Sequence, residues 1–221
     1  MGVIKRWMGL EAPLPSASAP RTAAPAAAPL ELGQGRMLCL DPSLKLLLDG
    51  HSHVQLPGDE KIWACGLIDL GQAMRMRRYY LDDEDYFLQV LMNGPGSDDI
   101  EEVILFGYFA ATPVTSKAEL LRLAGPGARV GLPTIEHDGE VFERQWGTEA
   151  GQAEFVPFEE CVASPEGSYR VEHLSMLYAR EIGLVNRREF LLFSVEEDEA
   201  GNVTLTTAVG VSLHLPDIKV L

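Results

Sequence analysis

Four consecutive acids, Asp82, Asp83, Glu84 and Asp85, are the densest concentration of potential chemistry in the chain. Their oxygens would suit Ca²⁺, Mg²⁺ or general-base work, but the run lacks the spaced D-x-D-x-D-G pattern and the distal Glu with which a loop wraps one ion. A solvated turn is the simpler expectation. Just upstream, Arg75, Arg77 and Arg78 are expected to pair with acids across strands, or else to form a basic spot on an acidic surface. His51 and His53 alternate with Ser52 and would share one strand face, the arrangement closest to metal ligation, but a third ligand is not evident. His137 falls in a turn, and His173 and His214 are isolated. The cysteines Cys39, Cys65 and Cys161 are widely spaced and form no CxxC, which suits core thiols in a reducing compartment. Cys161 follows Glu159 and Glu160, a setting that disfavours a thiolate. GxSxG, HExxH, P-loop and dinucleotide-binding glycine fingerprints do not occur. No catalytic residue, metal ligand or cofactor is therefore expected.

The elements that must position these residues follow from their flanks. The acids sit at the tip of a hairpin over residues 74–93, where Arg75, Arg77 and Tyr79 share one strand face and Phe87, Gln89 and Leu91 share one on the return. Further strands are predicted at 36–40, 43–48, 51–56 and 62–70, punctuated by Asp-Pro, Asp-Gly, Pro-Gly and Leu-Gly turns. A loop at 93–99 leads into a buried strand at 100–111. TSKAELLRLAG predicts a helix capped by Thr115 or Ser116, with Glu119 at capping-box spacing and a stop at Gly125-Pro126. Asp138-Gly139 predicts a type I′ hairpin turn, and Pro157 marks the 155–162 strand as an edge or a bulge. Residues 171–183 fit two patterns. Val171, Leu174, Leu177, Tyr178 and Ile182 suit a helix, whereas Val171, His173, Ser175 and Leu177 alternate as in a strand. Two last strands, 189–196 and 203–213, flank an acidic turn. The expected fold is α+β, predominantly antiparallel β in a barrel-like or sandwich core, with one or two flanking helices.

The chain is 46% hydrophobic over 221 residues, enough for a real core, and its formal net charge of −15 argues against nucleic acid as a partner. The charge is unevenly spread. Residues 1–10 form a short basic amphipathic segment, with Ile4, Trp7 and Met8 on one helical side and Lys5 and Arg6 on another. Residues 11–35 are an Ala/Pro-rich linker. Residues 36–221 make a single acidic β-rich domain with net charge −16, against +1 for residues 1–35. Ile4, Lys5, Arg6 and Trp7 in the 2–10 segment could make weak contact with an anionic membrane surface or dock in a partner's groove. No signal peptide is expected, and the longest apolar stretch, 103–114, falls well short of the ~20 residues a spanning helix needs.

LIDLGQAMRMRRYYLDDEDYFLQV, TSKAEL, FERQWG, MLYAREIG and NRREFLLFSV together resemble the YjfK-type family of uncharacterised bacterial proteins over about residues 36–215. The resemblance brings no catalytic residue or cofactor. It implies a cytoplasmic protein, peripheral to the inner membrane, encoded beside a membrane-binding coiled-coil protein of the phage-shock type. The expected function is thus a non-catalytic adaptor linked to envelope stress, with the acidic tip Asp82 to Asp85 and the basic start as interaction surfaces. The alternative is an enzyme using the tip carboxylates as divalent-metal ligands or general bases.

Overall fold

The structure, a computed structural model, describes residues 29–221. Twelve strands run through them: β1 (Met37–Leu40), β2 (Glu60–Gly71), β3 (Met74–Leu81), β4 (Tyr86–Asn93), β5 (Ile100–Pro113), β6 (Thr134–His137), β7 (Glu140–Arg144), β8 (Val156–Ser164), β9 (Gly167–Glu181), β10 (Arg188–Glu197), β11 (Val203–Ser212) and β12 (Ile218–Val220). Two α-helices accompany them, α1 (Ser43–Leu48) and α2 (Lys117–Ala124). Eight strands close into an antiparallel barrel in the order β2-β3-β4-β5-β11-β10-β9-β8, sealed where β8 returns to β2. Closure leaves these strands few open edges. The β6–β7 hairpin hangs from β9, and β1 with β12 extends the start of β2.

Most local signals produce the elements they predict. The 74–93 hairpin forms in register from Tyr80↔Phe87 to Met74↔Asn93. Asp138 and Gly139 both take positive φ, 49° and 82°, as a type I′ turn requires. At α2, Ser116 accepts the Glu119 N–H at 3.2 Å. The Glu119 carboxylate reaches one residue past the box expected, accepting from the Thr115 N–H at 2.9 Å. Pro157 lies where β8 pairs only with β9, because the β2 ladder covers only residues 160–163, so it has the edge position a missing N–H demands.

Three expectations are corrected. Residues 43–48 are a helix, not a strand: Asp41 accepts the Ser43 N–H at 2.8 Å, and Leu44 and Leu48, four apart, are buried while Leu46 is 80% exposed. Residues 51–56 form no ladder. The buried Glu189 carboxylate holds them instead, accepting from the His53 N–H (2.8 Å) and the Ser52 hydroxyl (3.1 Å), while His51 Nδ1 lies 2.9 Å from the Ile182 carbonyl. His51 and His53 therefore share no strand face. Of the cysteines, Cys39 is buried but Cys161 is exposed, and all three are free thiols. Burial pushes the Cys39 and Cys65 thiols up.

The open choice at 171–183 resolves as strand. Residues 173–179 are buried without interruption, because both faces of β9 are covered. Leu174, Met176 and Tyr178 pack outside the barrel with Leu120 and Ala124 of α2, while Leu177 and Ala179 face inward with Phe87, Phe106 and Phe190. A third apolar cluster packs Leu44 and Leu48 of α1 on the outer faces of β3, β4 and β5.

Candidate functional site at one mouth of the barrel

Directly paired residues of an antiparallel ladder point to the same side of the sheet, so the register alone identifies the inward set. Gly66 opposes Arg78, Ile68 opposes Glu160, Phe158 opposes His173, His173 opposes Glu196 and Ser175 opposes Ser194. The middle of the barrel is filled by Phe87, Phe106, Phe190 and Leu192, with Phe87 and Phe106 stacked at 5.0 Å between centroids. Toward the end marked by the acidic hairpin tip, the filling turns polar.

Glu160 is the hub of that polar layer and is fully buried. Its Oε2 accepts from Arg78 Nη1 at 3.1 Å, and the Tyr80 hydroxyl donates to Oε1 and Oε2 at 2.9 and 3.0 Å. Arg78 is itself only 2% exposed, donates from Nε to Gln89 Oε1 at 3.2 Å, and stacks its guanidinium over the Phe87 ring. His173 Nε2 lies 2.9 Å from Glu160 Oε2 but off the direction of a straight N–H···O bond, so the contact is chiefly electrostatic. The His173 Nδ1 lies 3.1 Å from Ser194 Oγ, which is bonded in turn to Ser175 Oγ at 2.8 Å. Room for the Glu160 carboxylate comes from Gly66, where a Cβ would stand 1.6 Å from Oε1.

Burial alone would push the Glu160 carboxyl up, yet Arg78, His173 and Tyr80 together hold it below the usual glutamate range. Burial likewise opposes the charge on Arg78, and Glu160 outweighs it, so the guanidinium stays protonated. Burial and then Glu160 raise the Tyr80 phenol well above its ordinary value, which keeps its proton available to donate.

Above this layer opens a cavity of about 380 Å³. Four of the chain's six tyrosines, Tyr80, Tyr86, Tyr108 and Tyr169, line it together with Trp63. These rings come from β3, β4, β5, β9 and β2, five of the barrel's strands. Trp63 is the extra residue of a bulge: β2 carries one residue more than β3 between Ile62↔Leu81 and Ala64↔Tyr80. Bulges re-aim side chains at barrel rims, and here the re-aimed ring is part of the wall. Glu84, Glu196 and His173 supply the titratable groups. Glu196 accepts from the Thr206 hydroxyl at 2.9 Å and stands 3.7 Å from His173 Nδ1. Burial, then Glu196, raises the Tyr108 phenol. The opposite end holds a more apolar cavity of about 420 Å³, lined by Met76, Leu91, Trp146 and Phe158 among others.

Of the acids singled out in the sequence, Glu84 lines the mouth cavity, held at φ 61° in the turn, while Asp82, Asp83 and Asp85 do not. Asp83 instead accepts the Asp85 N–H at 3.1 Å. Ile4, Lys5, Arg6 and Trp7 lie outside the described residues. Among the described residues, no three His, Cys, Asp or Glu side chains are grouped to hold a metal ion. Arg78 pairs with an acid across strands as expected, but inside the barrel and with Glu160 rather than the tip. Sequence reasoning missed Glu160 and His173. The strand alternative for 171–183 already placed His173, Ser175 and Leu177 on one face, and that face is the barrel interior.

An eight-stranded antiparallel barrel with a buried ionic hub and an aromatic mouth is the class that fold and site define. The chain belongs to a protein family of unknown function, DUF2491, whose sequence profile matches residues 3–219. No curated protein and no solved structure matches it.

Proposed function

We propose that the chain is a non-catalytic recognition module: the barrel mouth receives a group of a protein partner, and the basic start at residues 2–10 tethers the module to a membrane surface or a second protein. The observation that carries this reading is the pairing within the polar layer. Glu160 is committed to Arg78 and Tyr80, and Ser194, whose hydroxyl lies beside His173, is 1% exposed and bonded to Ser175. A nucleophile or base must reach its substrate. Glu160 and Ser194 are thus committed to holding the mouth in shape, whereas His173 and Glu196 line the open cavity beneath its aromatic wall. A cavity of this size lies within the ~300–1,000 Å³ range of ligand sites.

The tether rests on sequence and on the family span, which begins at residue 3 and so takes in Ile4, Lys5, Arg6 and Trp7. The YjfK-type resemblance points to the inner-membrane periphery and envelope stress as the setting. Among the described residues no helix is long and apolar enough to cross a membrane.

A photo-crosslinking residue at position 169, on the rim, should capture a discrete partner in native cells, and one at the exposed position 185 should not. Deleting residues 1–30 should abolish flotation with anionic vesicles. Equal capture from both positions would overturn the receptor reading, and unchanged flotation would overturn the membrane form of the tether.

A further inference from the structure

The wall of the mouth has a chemical bias that narrows what it receives. No lysine or arginine lines the cavity, and its two carboxylates, Glu84 and Glu196, form no ion pair with a lysine or arginine among the described residues. Arg78 lies below, and its charge is matched by Glu160 at 3.1 Å. What faces an entering group is therefore an electron-rich aromatic wall with carboxylates at rim and floor. Ring faces carry negative potential, and several around one volume favour a cation whose charge is spread over carbon and hydrogen. An inorganic cation would need more oxygen ligands than this wall offers.

Resting on the recognition reading above, we infer that the barrel mouth is a receptor site for an organic ammonium group, with the rings of Trp63, Tyr108 and Tyr169 against its alkyl substituents and Glu196 as counter-charge. Glu196 is suited to the role. It is only partly exposed, is fixed by the Thr206 hydroxyl, and has the imidazole of His173 3.7 Å away. The domain's net charge of −16 attracts cations toward the mouth from a distance.

The test uses the full chain titrated with choline and with 3,3-dimethylbutan-1-ol, which has the same shape without the charge, by calorimetry. Choline should bind at least about tenfold more tightly. Glu196→Gln and Tyr169→Ala should each weaken choline about tenfold, and Tyr169, at the rim, can be truncated without touching the core. A lysine-rich peptide compared with its fully acetylated form distinguishes a protein-borne ammonium from a small free one: a preference for the unmodified peptide supports the former, and binding of choline alone the latter. Equal affinity for choline and its neutral analogue, no binding of any cation, or indifference to both substitutions would overturn the inference. If crosslinking from position 169 persists in those cases, the recognition reading survives and only the cation chemistry is wrong. Loss of that crosslinking sinks both.

Discussion

Arg78 and Glu160 illustrate how much one buried pair can cost and still be retained. Desolvating two charges is expensive, and here Tyr80 and Gln89 add hydrogen bonds and His173 lies close by, while Arg78 Nη2 is buried with no hydrogen-bond partner among the described residues. Removing one partner leaves the other buried and uncompensated. Arg78→Met should therefore destabilise the chain by about 3–5 kcal/mol in urea unfolding at pH 7. A loss below about 1 kcal/mol would mean the pair is far better hydrated than its burial implies. Gly66→Ala should cost about 1–3 kcal/mol, because its methyl would displace a carboxylate that three partners hold in place. Acid provides a separate readout. The Glu160 carboxyl is held below its ordinary value in the folded chain, so its contribution is complete above the usual glutamate range and is lost as pH falls through the depressed folded value. Unfolding free energy measured between pH 7 and pH 3 should fall less steeply in Glu160→Gln than in the parent chain. Parallel profiles would assign the acid sensitivity to other carboxylates.

At the scale of elements, legibility followed the range of the signal. The β3–β4 hairpin, the Asp138-Gly139 turn and α2 were readable because turn residues, caps and alternation act within a few positions of one another. The α1 segment was misread because six residues hold too little periodicity to separate a helix from a short apolar strand. What decides it is the Asp41 cap and the burial of Leu44 and Leu48 beneath neighbouring strands. The helix assignment makes a sharp prediction: Leu44→Ala and Leu48→Ala should each cost about 2–5 kcal/mol, while Leu46→Ala should stay within about 0.5 kcal/mol. Similar losses at all three sites, read from denaturant midpoints, would contradict it. The two patterns in β9 coexisted because a strand covered on both faces has no polar side to mark it. The polar hub was out of reach for a different reason. Arg78 and Glu160 are 82 residues apart, and nothing local in either strand indicates that barrel closure brings them together.

On the scale of the whole molecule, charge and closure dominate. An acidic domain of this net charge repels itself, whereas its principal buried ion pair is shielded from solvent ions. Raising NaCl from about 20 to about 200 mM at pH 7 should therefore raise the melting temperature by circular dichroism, because screening relieves the surface and leaves the hub intact. A fall would indicate that surface attractions outweigh repulsion.

The seam between β2 and β8 rests on four residue pairs, Cys65↔Ala163 through Ile68↔Glu160, and joins segments almost a hundred positions apart. Such long-range pairing is slow to find during folding. A slip of one residue in β8 would turn Cys161 into the barrel and Glu160 out to water, stranding Arg78 without a counter-ion. The hub that shapes the mouth thus also selects the register of the seam, since a one-residue slip breaks its circuit of charges.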